Sequence, residues 1–424
     1  MPRLFLVDVD LLDGERSLRG GQTVVVEGDT IISVGVGSEV PAPQQGDDVR
    51  SLVGSTVMPG MVSGHFHSTF HNVGVEMGVP LSAHPPAITA YRALSNAQMA
   101  LSCGFTTVVS AGCSDAIDAQ LETVIEGGLF SGPRIVPCGR DTLSSADLVM
   151  PWWIDNRREW GIARCDGADE MRKTVREEIN RGARLIKLTV SGGHALPQRK
   201  GTRVFNDVEV RAAVEAAHDR GVRVRSHVAG KDAILACIEC GIDILDHCDD
   251  FDEECIDAMI KADVFVVPSI FQTSRLLASN ASFFGIPRDQ LQAEYDHMCA
   301  MLPIAAKAGV KLCVGDDYGT AAILHGEYAQ EMSLYVDDAG IEPLEVIRWA
   351  TRNGGALAAI PDLGTIAVGK RADLLIVDGD PSADIGVLSN KDNIRGVISR
   401  GQFFREPLTS GPSRVPVAQL QAAE

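Results

Sequence analysis

One pattern recurs through residues 58–360: a helical stretch closed by glycine, a short β run, and a polar residue at the end of that run. Asn206 and Glu209 form a capping box ahead of a helix over 208–220, which Gly221 ends. The β run 222–227 follows and finishes on His227; Gly241 closes the next helix, and the run 242–247 finishes on His247. The same design fits Gly104 before 105–109, Gly132 before 134–138, Gly182 before 184–190, Asp263 before 264–268 and Gly309 before 310–315. With the run ending at His65 this makes eight β/α units, and such alternation predicts a parallel barrel. Functional groups of a barrel of this kind sit at the C-terminal ends of its strands, which directs attention to the polar residues closing each run.

The two ends of the chain read differently. Residues 4–7, 23–26 and 30–36 are β runs separated by turns such as Arg19-Gly20-Gly21, and 372–378 and 396–401 have the same texture. The expected fold is therefore α/β: a (β/α)8 TIM-like barrel over 58–360, with a small β-sandwich domain formed by both termini. Residues 1–57 and 361–406 supply the sandwich, and 407–424 form a Pro/Ser/Ala/Gln-rich tail.

Charge and composition narrow the function. The 424 residues carry a net charge of −19, which repels phosphate backbones and argues against a nucleic-acid partner. No apolar run reaches membrane-spanning length, and the N-terminal segment meets an acid at Asp8 before any signal-peptide core forms, so a cytoplasmic protein is expected. Ten cysteines are too sparse for a disulfide scaffold; Cys237 and Cys240, three apart on a predicted helix, read as structural thiols sharing a face.

The strand ends gather a distinctive set. The first run ends in Gly64-His65-Phe66-His67, and alternate residues of a strand point the same way, so both imidazoles face the barrel axis. The fourth places Lys187 inside an apolar run, the fifth and sixth end at His227 and His247, and the eighth at Asp316-Asp317. Each alone has a plain structural reading, such as a hydrogen-bonded core histidine or a solvated turn. Their convergence at five strand ends does not, and imidazole with carboxylate suits a divalent transition metal such as zinc.

These residues resemble the amidohydrolase superfamily of binuclear metal hydrolases. The likeness rests on Pro59-Gly60-Met61-Val62-Ser63-Gly64-His65-Phe66-His67, Ile186-Lys187, His227-Val228-Ala229-Gly230, Asp246-His247, Gly315-Asp316-Asp317-Tyr318-Gly319 and the closing segment from Gly364 to Leu374. It covers nearly the whole chain and is similar above all to the imidazolonepropionase-like and Xaa-Pro dipeptidase-like branch. The resemblance implies two divalent ions, zinc in the first instance. His65 and His67 would hold the more buried ion and His227 and His247 the more exposed one. Lys187 would bridge both as its carbamate, because a free ammonium cannot ligate a cation. Asp317, rather than the alternative Asp316, would be ligand and proton shuttle for a metal-bridging hydroxide. Assembly into a homo-oligomer is also implied.

The expected activity is hydrolysis of an amide-type C–N bond in a small molecule: a dipeptide, an N-acyl amino acid or an aryl amide. An ester, lactone, carbamate or urea at the same metals is the alternative, and a non-catalytic relative is a third reading. A deaminase is disfavoured because Lys187 is present. Substrate contacts are expected from the strand-to-helix loops. His194, in Ser191-Gly192-Gly193-His194, can donate to an oxyanion, and His325 can meet a polar group of the substrate. His71, His84 and Tyr91 after the first strand, Trp152 and Trp153 after the third, and Tyr318 complete the candidates.

Overall fold

The computed structural model describes residues 2–73, 85–145, 161–194, 200–279 and 286–407. His84, Trp152, Trp153 and all but the first residue of the proposed tail lie outside the described residues.

The chain divides into two compact units. The first comprises residues 1–62, 100–107 and 342–424, the second residues 63–99 and 108–341. In the first unit, the terminal segments meet in one eight-stranded mixed sheet. Its order is Gln402–Arg405, Ile394–Ser399, Leu374–Asp378, Ser55–Pro59, Arg3–Leu12, Ser17–Glu27, Thr30–Val36, with Asp48–Ser51 also paired to Arg3–Leu12. The N- and C-terminal segments join where Leu374–Asp378 runs antiparallel to Ser55–Pro59, Leu374 opposite Pro59 and Asp378 opposite Ser55. One face carries a buried cluster of Leu4, Leu6, Val9, Leu11, Val24, Val26, Leu374 and Ile376 among others, and a smaller cluster of Phe5, Val25 and Val49 lies apart from it. That alternation along Arg3–Leu12 is the period-two signature of a sheet with apolar residues on both sides.

The β/α units form two sheets. Met61–Phe66, Phe105–Ser110 and Arg134–Val136 make one of three strands. Ile162–Arg164, Asp141–Leu143, Leu185–Thr189, Arg223–Val228, Ile244–His247, Phe265–Val267 and Lys311–Leu312 make another of seven, parallel at every pairing. Helices alternate with these strands. Asp207–His218 begins with the expected capping box: the Asn206 side chain accepts from the Val208 and Glu209 amides, and Glu209 accepts from the Asn206 amide. Lys231–Cys240 and Arg288–Ala308 both end on left-handed glycines, Gly241 and Gly309.

The third unit departs from expectation. Instead of one run over 134–138, the chain forms Arg134–Val136, breaks, and resumes as Asp141–Leu143, which pairs with Leu185–Thr189; Ile162–Arg164 is an additional strand. Two buried carboxylates replace the ladder at the break. Asp118 accepts from the Cys138 and Gly139 amides at 2.8 and 3.1 Å, and Glu178 accepts from the Arg140 amide at 3.0 Å. Buried amides need partners, and these side chains satisfy them while Gly139 takes φ +70°. Beyond the two sheets, the Gly64 amide donates to the Val314 carbonyl at 2.7 Å and the Arg184 amide to the Pro137 carbonyl at 2.8 Å. All ten cysteines are free thiols and all but Cys299 are buried; Cys237 and Cys240 share the helix Lys231–Cys240. Among the described residues no helix is long and apolar enough to cross a membrane.

Candidate metal centre and active site

Parallel pairing sets the depth of each site residue. His227 is opposite Asp246 and Val228 opposite His247, so the ends of two neighbouring strands stand level. His65, Lys187, His227 and His247 are all buried. Their burial follows from position: each closes or lies within a strand whose other residues are core.

His65 and His67 bring their Nε2 atoms within 3.1 Å of one another. Asp317 Oδ1 lies 3.0 Å from the first and 3.2 Å from the second. The opposite ring nitrogens fix the protons. His67 Nδ1 is 3.0 Å from the Gly112 carbonyl, which can only accept. His65 Nδ1 is 3.2 Å from Asp246 Oδ1; Arg225 Nη2, 3.3 Å from the same nitrogen, is committed to that carboxylate. With a proton on each Nδ1, both Nε2 atoms turn lone pairs toward one point, where a carboxylate oxygen adds a third. Burial pushes His67 down to about 4, so no ring proton returns at neutral pH. Three mutually close acceptors without a proton between them are the donor set of a cation, and the outer hydrogen bonds to Gly112 and Asp246 are the usual supports of metal-binding histidines.

A second group stands beside the first. The rings of His227 and His247 are 4.5 Å apart, and those of His65 and His247 5.1 Å. His227 Nε2 donates to the Gly193 carbonyl at 3.1 Å, which leaves Nδ1 as its lone-pair nitrogen. Burial drives His227 down to about 3 and His247 well below the imidazole range, so both are neutral ligating forms. His247 Nδ1 is buried with no hydrogen-bond partner among the described residues. Such an orphan is costly unless something else binds it, and it fits a second ion. His65, His247 and Asp317 each offer a ligand atom within 4.8 Å of the others.

Lys187 Nζ donates to Asp246 Oδ2 at 2.8 Å. Asp246 also receives Nε of Arg225 at 3.0 Å, and Arg225 donates further to the Ser110 carbonyl at 2.8 Å. Asp246 thus ties together Lys187, Arg225 and His65. Asp316 and Asp317 have different neighbours. Asp316 accepts from the Phe271 and Gln272 amides at 2.8 and 3.1 Å, at the start of the helix Phe271–Ala278, whereas Asp317 meets the two histidines.

His194 lies flat on His247, ring centroids 3.8 Å apart and planes 13° from parallel. Both residues take left-handed backbone angles, φ +45° and +71°, a conformation non-glycine residues adopt at a cost. Gly193 beside it is obligatory: a Cβ there would come within 2.7 Å of the Ala229 methyl. His194 Nδ1 is 2.9 Å from Asp249 Oδ1, and although burial opposes the charge, this carboxylate raises the ring to about 9. His194 Nε2 is then a buried N–H donor with no partner among the described residues.

The other expected contacts are placed less centrally. His325 is engaged at both nitrogens, Nδ1 with the Tyr328 hydroxyl at 2.8 Å and Nε2 with the Phe70 carbonyl at 3.2 Å. It reaches the centre indirectly, through Phe70, which stacks on His67 at 3.8 Å, and through Phe66 at 5.5 Å. Tyr318 is buried, its hydroxyl donating to the Tyr328 carbonyl at 2.7 Å and lying 3.1 Å from the Glu331 carboxyl. Tyr91 is 71% exposed on the helix Pro86–Ser102, and His71 is exposed. Arg225, Asp141 and Asp249 stand at the site without belonging to any motif of the sequence. Strand alternation marks Arg225, two before His227; nothing local marks Asp141, which follows the break in the third strand.

Comparison with known proteins places this geometry. The amidohydrolase family profile matches residues 56–404. Ochratoxinase of Aspergillus niger is 28% identical over 93% of this chain and 85% of its own length. A solved prolidase, complexed with N-methylphosphonate-L-proline, superposes with a TM-score of 0.83 at 30% identity, covering 95% of this chain and all of that one. A Xaa-Pro dipeptidase with methionine in its active site gives 0.83 at 27% identity, with the same coverage. These neighbours imply a TIM-barrel-like α/β fold for the chain. The chain belongs to the amidohydrolase family, in the branch of the Xaa-Pro dipeptidases and imidazolonepropionases, and is a metal-dependent hydrolase of amide-type C–N bonds.

Proposed function

We propose that this hydrolase cleaves a dipeptide, an N-acyl amino acid or an aryl amide with two zinc ions. His65, His67, His227, His247 and Asp317 would hold them, joined by Lys187 as a bridging carbamate. The observation that carries this reading is the meeting of three lone-pair donors, His65 Nε2, His67 Nε2 and Asp317 Oδ1, within 3.2 Å. Support for the substrate class comes from the prolidase, dipeptidase and ochratoxinase likenesses.

Bound there, the cations supply a water of lowered pKa and polarisation of the scissile carbonyl. The chain's own residues do the rest. Asp317 takes a proton from the attacking water and returns it to the leaving nitrogen, a transfer C–N cleavage needs because an amide anion leaves poorly. His194 directs its free Nε2–H at the oxygen that gains charge, with Asp249 holding the ring. Arg225 and Asp246 orient His65 and keep water from the inner face of the site.

The same reading takes the eight β/α units as a closed barrel over residues 58–360, supported by two hydrogen bonds between the sheets, Gly64–Val314 beside the edge strand Lys311–Leu312 and Arg184–Pro137 beside Leu185–Thr189. It takes the terminal sheet as a sandwich folded over its larger apolar cluster. A cytoplasmic homo-oligomer acting on small molecules, without nucleic-acid or membrane partners, accords with the acidic surface and the free thiols.

The test is a panel of dipeptides, N-acyl amino acids, aryl amides and matched esters, assayed with metal-loaded enzyme for released amine or alcohol. C–N cleavage lost in Asp317→Asn supports the reading. Ester cleavage alone, or full activity in that variant, contradicts it.

A further inference from the structure

Asp141 is a carboxylate at the metal centre that none of the roles above uses. It opens the strand resumed after the break, with its backbone paired to Lys187. Both its oxygens face the Thr189 hydroxyl, at 3.1 and 2.9 Å. Lys187 and Thr189 are alternate residues of one strand and share a face, and Lys187 reaches Asp246 within the site, so Asp141 points into the same space. Its neighbour on the other side is His67. A Cβ built on Gly112 would lie 3.3 Å from His67 Cε1 and 3.6 Å from Asp141 Cβ. A side chain there would crowd His67, and the φ of +133° favours glycine, so His67 and Asp141 flank this position with nothing larger than a hydrogen between them.

The hydrogen-bond count of Asp141 is incomplete. A carboxylate offers about four lone-pair positions, yet its one side-chain donor among the described residues is the Thr189 hydroxyl. Asp141 is half-buried and Thr189 buried, and the Thr189 hydroxyl uses only part of the carboxylate's acceptor capacity. The inner cations are committed elsewhere: Lys187 and Arg225 both donate to Asp246. An acceptor of this kind beside a carbonyl-activating site matches a cationic N–H donor on the substrate.

We propose that Asp141 is a specificity residue that binds the free α-ammonium of the substrate, so that the enzyme prefers unblocked dipeptides to N-acylated amino acids. This rests on the reading of the centre as a C–N hydrolase and chooses among the substrates that reading allows. The scissile carbonyl of a dipeptide is adjacent to the carbon bearing its ammonium. A carboxylate next to His67 therefore stands where that ammonium falls when the carbonyl reaches the metals. An N-acetyl group removes the charge and adds bulk, and leaves Asp141 unpaired.

The experiment compares free dipeptides with their N-acetylated twins across apolar, acidic and basic C-terminal residues. It uses metal-loaded wild type, Asp141→Asn and Asp141→Glu, with metal content measured on each sample. The wild type is expected to favour the free forms by about 10- to 100-fold in kcat/KM, the range of a charge-assisted hydrogen bond. Asp141→Asn should collapse that ratio, mostly through KM, while retaining two metal equivalents, and Asp141→Glu should restore part of it. Equal cleavage of both twins by the wild type, an equal loss on both in Asp141→Asn, or loss of a metal from that variant would overturn the proposal. Cleavage of N-acyl amino acids alone would sink it and leave C–N hydrolysis standing. Metal-loaded enzyme that cuts no C–N bond would sink both.

Discussion

Asp246 Oδ1 lies 3.2 Å from His65 Nδ1, and the same carboxylate takes Nζ of Lys187 on its other oxygen at 2.8 Å. One buried acid therefore orients a candidate metal ligand and holds the amine proposed to become a carbamate. The two tasks conflict. A carbamate is anionic, and forming it means breaking an ion pair with Asp246.

Metal loading should accordingly depend on bicarbonate. Chelated, dialysed enzyme given metal alone should regain activity slowly and incompletely, and bicarbonate with metal should raise both rate and yield. Recovery indifferent to bicarbonate would argue that Lys187 stays an ammonium paired to Asp246.

Asp246→Asn should destabilise the metal-free protein by about 3–5 kcal/mol, because Arg225 would stay buried without its counter-charge. Chemical denaturation measures this directly. A change under 1 kcal/mol would mean that water or another acid reaches Arg225.

The two neighbouring aspartates should separate by phenotype. Asp317→Asn should lower kcat by about 10²- to 10⁴-fold with a near-normal unfolding midpoint, as for loss of a proton-transferring group. Asp316→Asn should instead cost about 1–3 kcal/mol of stability, since its carboxylate accepts two amides at the start of the helix Phe271–Ala278. The opposite pattern would reverse their roles.

The pH dependence of metal-free protein tests the His194–Asp249 pair. The folded ring titrates near 9 against an ordinary 6.5, so the folded state binds the proton more tightly. Its stabilisation is complete below about pH 6.5 and is lost as pH rises through 9, a change on the order of 3 kcal/mol. Urea midpoints from pH 6 to 9.5 should fall more steeply in wild type than in Asp249→Asn. Parallel curves would show that the pair does not hold the charge.

The legible part of the protein was what periodicity and strand ends encode. The recurring glycine-bounded units located seven of the eight strands and the start of the third, and Lys187, His227 and His247 come together because parallel strands in register carry their ends to one level. What stayed hidden depends on contacts between distant segments. The third strand breaks because Asp118 and Glu178 satisfy its amides, and neither acid is near it in sequence. His194 acquires its charge from Asp249, 55 residues away, and His325 is taken up by Tyr328 and Phe70. Side chains on loops answer to such partners, which no local pattern records.

The most direct test of the central claim is a metal titration with activity read on the same samples, using enzyme purified without chelator or polyhistidine tag and then stripped. The account predicts that C–N hydrolysis rises with added zinc and bicarbonate and levels at two equivalents per chain, and that His65→Ala combined with His67→Ala leaves no activity at any loading. Turnover in the stripped protein, or a plateau reached with no bound metal, would contradict it.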